Sequence, residues 1–188
     1  MGKYNYYMSS NDLVNAADID SLRIIRYPDP RLQTMCAPLA VVDGAVRRLA
    51  AKMFELMFQA RGVGLAAPQV GLTVRLFVAS PSFEPSDLRV YVNPRIVSME
   101  GTQDGEEGCL SFPGISCNIK RAEISVIEAT NLEGQLFQET GEGLAARIFQ
   151  HESDHLDGRL LVDRMGSVAK LSNRRALKEL EEEFAEAK

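Results

Sequence analysis

The chain has 188 residues, a formal net charge of −5 and 45% apolar residues. One domain of that length buries a core unaided, the composition is that of an ordinary globular protein, and no run of eighteen apolar residues is present to span a membrane. The acidic balance gives no reason to expect a nucleic-acid-binding face, and three sparsely spaced cysteines argue against a disulfide framework and for a reducing cytoplasm.

The first residues, Met1 to Tyr7, carry no apolar stretch of the signal-peptide kind, and Tyr6 stands where a myristoylation signal wants Ser or Thr. Residues 1–20 are polar and aperiodic and read as a loose extension whose tyrosines are free to dock. A folded domain over 21–166 and a C-terminal helix over 167–188 complete the division. Ile24 and Ile25, before Tyr27-Pro28-Asp29-Pro30, predict a short strand entering a turn. Asp43 is the N-cap of the first helix. Val46, Leu49, Met53, Leu56, Met57 and Ala60 keep helical spacing as far as Gly62, a natural C′ residue, and the methionines read as core.

The small residues of Gly62 to Gly71 let the backbone approach something closely, and Gln69 is the one side chain there with donor capacity. Taken alone, a tight connection with a solvent-facing Gln fits as well. Val74, Leu76 and Val78 alternate as a strand, residues 81–87 form a polar loop, and Arg89–Val92 and Ile96–Met99 predict two further strands around Asn93-Pro94. Gly105 to Gly114 is rich in turn residues. Cys109 within it is either a thiolate ligand or a small buried apolar residue. Ile124–Thr130 and Gln135–Thr140 predict a hairpin closed by Asn131 to Gly134.

A helix follows from near Thr140 to Gly158, carrying the only two histidines, His151 and His155, with Glu152 between them. Residues i and i+4 lie one above the other, so both imidazoles reach one metal ion, and Glu152 points about 100° aside, where a general base belongs. The pattern arises by accident on the order of once in a thousand such chains. The alternative is a surface helix with two solvated histidines. Leu144 and Ile148 fall on the same stripe as the histidines, which makes that stripe buried, and Ala145, Phe149, Glu152 and Leu156 form an adjoining buried flank. Leu160–Val162 predicts a closing strand. The last helix runs over 167–187, from basic Lys170, Arg174, Arg175 and Lys178 to acidic Glu181-Glu182-Glu183, as a solvated face.

Two histidines leave a catalytic metal one protein ligand short. The histidine that completes the metzincin pattern is replaced by Leu161. A downstream glutamate of the thermolysin kind falls on the solvated last helix. Cys109 remains, and a His2Cys set is the expectation.

Three stretches in order, Gly62 to Gln69, Glu107-Gly108-Cys109-Leu110-Ser111 and Gln150 to Gly158, resemble the motifs of the peptide deformylases, a likeness covering about residues 22–167. The resemblance implies an α+β fold with antiparallel sheets packed around the helix of the HExxH motif, flanked by one helix nearer the N-terminus and one at the C-terminus. It implies removal of the formyl group from the initiator methionine of new polypeptides, with Cys109, His151 and His155 holding the metal and Glu152 as acid/base. Gln69 would serve the oxyanion, joined by the backbone N–H of Leu110. On this reading the metal acidifies its bound water and Glu152 takes the proton. Val63, Leu144 and Ile148 would receive the methionine side chain, while Gly64 and Glu107 sit at the substrate backbone and metal loop. Iron is implied in the cell, with Zn(II), Ni(II) or Co(II) accepted by the same ligands. Ser153 stands where the family usually has an apolar residue and Arg147 where one is also common, and Asp154 is either a partner for a ligand histidine or for Arg121, or a solvated surface carboxylate. The acidic end of the chain does not support docking to the ribosome. A metallopeptidase and a non-catalytic metal-stabilised binding protein are the competing classes.

Overall fold

The computed structural model describes residues 8–187, so Tyr4, Tyr6 and Tyr7 lie outside the described residues. Helix α1 (Ser10–Ala16) occupies part of the stretch expected to be loose. Its capping box pairs Ser9 with Asp12, and Asn11 accepts the Ala40 N–H at 2.9 Å and donates to the Val41 carbonyl at 3.0 Å. Val14 is fully buried. One apolar anchor and one polar staple hold about two turns of helix, too short to show periodicity.

Ile24 and Ile25 form no strand. Ile25 bonds through a single backbone contact, to the Gln69 carbonyl at 2.8 Å. Helix α2 (Gly44–Gln59) starts where Asp43 caps it, its carboxylate accepting the N–H groups of Ala45 and Val46 at 3.0 Å. Val46, Leu49, Met53 and Met57 are fully buried, each worth about 1.5–3 kcal/mol in apolar burial. The helix ends one residue earlier than its glycine suggested. Arg61 adopts φ 57°, the Arg61 N–H reaches the Phe58 carbonyl, and the Gly62 N–H reaches Met57. Gly62 is small for another reason: a Cβ there would stand 2.7 Å from Leu110 Cδ1.

Five antiparallel strands make the main sheet: β1 (Gly64–Ala66), β2 (Leu76–Ala79), β3 (Arg89–Glu100), β6 (Ile124–Thr130) and β7 (Leu136–Glu142), in the order β1-β2-β3-β6-β7. All four residues of β2 are buried because both its faces are covered. Leu76 and Val78 join the cluster under α2, while Phe77 and Ala79 join the cluster that contains Ile148, Phe149 and Leu156. The two strands expected around Asn93-Pro94 are one strand, β3. Its register slips between Val92 and Arg95, Asn93 takes φ 50°, and the Asn93 amide exchanges two 2.8 Å bonds with the backbone of Leu39. The β6–β7 hairpin forms as expected, closed at Gly134 (φ 80°).

A second sheet pairs β4 (Gln103–Gly108) with β5 (Ser116–Arg121). Its buried side, with Cys117 and Ile119, packs with Phe112, Leu160, Leu161, Met165 and Leu180. Leu160 to Val162 is no strand. Asp163 accepts the Leu160 N–H at 2.8 Å and starts a helical turn, α4 (Leu161–Arg164). The terminal helix is two helices, α5 (Ser167–Ser172) and α6 (Arg174–Glu186), broken at Asn173. Helix α3 (Leu144–Leu156) packs against the main sheet and is buried at nine of its thirteen residues. The fold is α+β.

Candidate metal centre

Helix α3 leaves β7 through Gly143, at φ 53°, and its thirteen residues carry the histidines away from the sheet edge into the interior. The rings of His151 and His155 lie 5.0 Å apart between centroids. Cys109, in the connection from β4 to β5, places Sγ 3.3 Å from His155 Nε2. One donor atom from each of Cys109, His151 and His155 lies within 4.8 Å of the others. A thiolate beside two imidazoles is the donor set of a transition-metal site with one position left open for chemistry. Glu107 Oε2 stands 3.0 Å from His151 Nδ1, which leaves Nε2 as that ring's ligand atom. Among the described residues His155 Nδ1 is buried without a partner. The residues fit a bound divalent cation.

Glu107 is a hub. Arg121 grips it with two bonds, Nε to Oε1 at 2.9 Å and Nη2 to Oε2 at 3.0 Å, and Arg147 Nη1 donates to Oε1 at 2.7 Å. Burial alone would raise the Glu107 carboxyl, but the hydrogen bonds from His151 and Arg121 outweigh it and hold the group well below the ordinary carboxylate range. Arg121 also reaches Asp154 at 2.6 Å, realising one of the two partners foreseen for Asp154. Of the histidines in the metal-free protein, His155 is held well below its ordinary value by burial and then by His151. Burial acts the same way on His151, but hydrogen bonds to Cys109 and Glu107 carry it well above.

Glu152 is 4% exposed, and its Oε2 has no partner among the described residues. Burial pushes its carboxyl up to about 7, against the opposing charge of His151. Its space exists because residue 64 is glycine: a Cβ at Gly64 would lie 2.3 Å from Glu152 Oε1. Gln69 is 1% exposed rather than solvent-facing. Its Oε1 accepts the Ala66 N–H at 2.8 Å, which turns Nε2 toward Cys109 Sγ (3.5 Å) and Ser111 Oγ (3.3 Å). The Leu110 N–H makes no hydrogen bond among the described residues.

All of the sequence-predicted site residues except His155 line one cleft of about 820 Å³, and His155 is buried against Cys109. Ile148 is buried in its wall and Val63 packs there, but Leu144, placed by helical phasing on a buried stripe, is 49% exposed. It is the first residue of α3 and stands at the cleft's rim, where no neighbouring element covers it. Arg147 lines the cleft while its guanidinium is tied to Glu107 and to the Ile119 carbonyl at 3.0 Å. Sequence reasoning missed Ser111, and it missed that Arg121 supports the metal ligands. A signal for Arg121 existed: it continues the alternation of Cys117 and Ile119 on the buried side of β5, and a buried Arg demands a carboxylate.

An α+β fold that brings a Cys-His-His donor set against a buried glutamate on the same helix defines a metallohydrolase of the HExxH kind. The family model described as polypeptide deformylase matches residues 21–171, and the chain belongs to that family. The peptide deformylase of Acidobacterium capsulatum is 46% identical over 147 residues, 77% of this chain and 86% of that protein. That of Pseudomonas aeruginosa is 44% identical over 148 residues, 78% and 88% of the two chains. Among solved structures, Arabidopsis thaliana peptide deformylase 1B superposes with TM-score 0.85 at 40% identity over 88% of this chain and 93% of that one. The Plasmodium falciparum enzyme does so with TM-score 0.84 at 35% identity, over 87% and 97%. The chain is therefore a metal-dependent deformylase, and neither competing class finds support in these likenesses.

Proposed function

We propose that this enzyme removes the N-formyl group from the N-terminal methionine of newly made polypeptides in the cytoplasm, using Cys109, His151 and His155 to hold one divalent cation. The observation that carries the reading is the convergence of those three donors with a buried Glu152 in one cleft. Iron(II) is the cation assigned in the cell, and Zn(II), Ni(II) or Co(II) suit the same thiolate and imidazoles in purified protein. When bound, the cation supplies Lewis acidity toward water and the formyl oxygen.

The protein's own groups do the rest. Glu152, held near neutrality by its burial, takes a proton from the attacking water as the water oxygen bonds to the formyl carbon. Negative charge builds on the formyl oxygen. The free Leu110 N–H and the Gln69 amide, locked in orientation by Ala66, are the donors for it. Glu152 then passes its proton to the nitrogen, the C–N bond breaks, and formate and a free amino terminus leave. Val63, Ile148 and the rim residue Leu144 receive the methionine side chain, and the packing of Glu152 against Gly64 leaves little room beyond a formyl hydrogen. Glu107 positions His151 rather than touching the reacting atoms.

Among the described residues no helix is long and apolar enough to cross a membrane. We assign the enzyme no nucleic-acid partner and no ribosome docking through its acidic C-terminal end. An anaerobic assay of formate release from a formyl-Met tripeptide, with metal analysis of the same sample, tests the function. The expected result is turnover proportional to bound metal and lost on chelation; a metal-replete protein inert toward formyl-Met peptides overturns it. Acetyl-Met peptides tested alongside should be inert, and equal rates would refute the narrow end.

A further inference from the structure

Arg147 is 8% exposed and stands one helical turn before His151 on α3, so both side chains leave the same face of the helix. A buried guanidinium is costly unless its surroundings are built for it. Gly105 of β4 supplies the space: a Cβ there would lie 2.9 Å from Arg147 Nη2 and 3.2 Å from its Cζ. Arg147 Nη1 donates to Glu107 Oε1 at 2.7 Å and to the Ile119 carbonyl at 3.0 Å. Gly105 and Ile119 are direct partners in the β4–β5 ladder, so one side chain of α3 straddles a rung of the small sheet. The carboxylate of Glu107 is filled to its capacity of about four donors. Arg121 takes one position on each oxygen, Arg147 the second on Oε1, and His151 Nδ1 the second on Oε2. Arg121 belongs to β5 and Glu107 to β4, so their pair fixes the carboxylate within the small sheet. Arg147 and His151 both belong to α3, and they hold the two oxygens from points about 6 Å apart along the helix axis. Two holds a turn apart set the rotation of α3 against β4 as well as its distance. Glu107 itself stands two residues before Cys109.

We propose that Arg147 is a positioning residue of the metal centre: seated in the socket at Gly105, it locks the helix of the two histidines to the strand that leads into Cys109. This role rests on Cys109, His151 and His155 being the ligands of the cation. With an apolar side chain at 147, Arg121 still holds Glu107 to the small sheet, but α3 keeps only the His151 bond to that carboxylate. The Arg121 bond to Asp154 lies beyond His151, toward the end of the helix, and does not hold the turn before it. His151 and Cys109 then gain freedom to move relative to each other, and a cation held between them escapes more readily.

The test compares the wild type with Arg147→Ile, Arg147→Lys, Gly105→Ala and the Arg147→Ile/Gly105→Ala double variant, each loaded with Co(II). Two quantities are read: the rate of cobalt release to a chromophoric chelator, and the cobalt–thiolate absorption band. Arg147→Ile should release cobalt at least about tenfold faster than the wild type, as when a supporting bond to a ligand histidine is disturbed. Gly105→Ala keeps the arginine but fills its socket, and should speed release at least about threefold; the double variant should be no faster than Arg147→Ile, because both changes break the same contact. Lysine reaches Glu107 but cannot also bond Ile119, so its release rate should fall between those of isoleucine and the wild type. The absorption band should shift in Arg147→Ile and return toward the wild-type position in the lysine variant. Release and band unchanged in both single variants would overturn the proposal even if they melt at lower temperature, since a residue that only stabilises the fold leaves the site as it was. Additive acceleration in the double variant would overturn it as well. A wild type that binds no cobalt and shows no thiolate band would overturn the reading of the three ligands, and this role with it.

Discussion

Glu107 receives hydrogen bonds from three buried or half-buried side chains, Arg121, Arg147 and His151, and no other carboxylate of the described chain touches a proposed metal ligand. Replacing it with Gln keeps the shape and removes the charge, so the buried Arg147 loses its counter-ion and Arg121 is left with Asp154 alone. Breaking such a pair costs about 3–5 kcal/mol, and losing a supporting bond to a ligand histidine weakens metal retention roughly 10–100-fold. Glu107→Gln is therefore expected to unfold at lower denaturant and to lose metal faster on dialysis; unaltered retention would deny Glu107 its positioning role. Glu152→Gln tests the opposite property. It leaves the three donors intact, so metal content should stay at the wild-type level while formate release falls by at least about a hundredfold. Gly64→Ala offers a third handle, because the new Cβ would occupy the space of the Glu152 carboxylate. Turnover should drop steeply with metal content preserved, read by assay and metal analysis on one preparation.

Elements differ in how much of their structure is written locally. Helix α2, the β6–β7 hairpin and α3 each repeat their own period over several turns or strand pairs, so residue order alone identifies them. Strand β4 is Gln-Asp-Gly-Glu-Glu-Gly, a sequence that reads as loop; it is a strand because β5 pairs with it from Gln103 to Gly108, a relation between distant residues. For the same reason Cys109 was legible as a candidate ligand, whereas the contact of Ser111 with Gln69 and that of Arg121 with Glu107 were not. Cys109, His151, His155, Glu152, Gln69 and Leu110, which the structure gathers around one cleft, could be picked out because motif spacing marks them, and Leu144's exposure could not, since helical phase says nothing about where a helix outruns its cover. The end of α2 carries its own prediction. Arg61 holds a left-handed conformation that a β-carbon disfavours, so Arg61→Gly should stabilise the fold by about 0.5–1 kcal/mol, measurable as a shift in the denaturant midpoint.

Across the whole molecule, the three donors join parts already tied by the ion pairs of Arg147 with Glu107 and Arg121 with Asp154: Cys109 comes from the connection of the small sheet, and both histidines come from the helix that backs the large one. A cation held there binds the folded state alone, so removing it should lower the melting temperature. The loss is about 2.7 kcal/mol when free metal had stood at a hundred times its dissociation constant. The metal-free protein should then acquire a pH dependence of its own. Glu152 titrates near 7 in the fold against 4.5 when exposed, and a carboxyl raised by folding contributes fully below the lower value and loses that contribution as pH climbs through the upper one. Glu107 is shifted the other way; its contribution stands above 4.5 and is lost as pH falls. Between pH 4.5 and about pH 8 the chelated wild type should therefore lose roughly 3 kcal/mol relative to Glu152→Gln, whose amide does not titrate. Denaturant melts of both proteins across that range measure the difference directly, and parallel curves would mean that the Glu152 carboxyl is not held protonated by its burial.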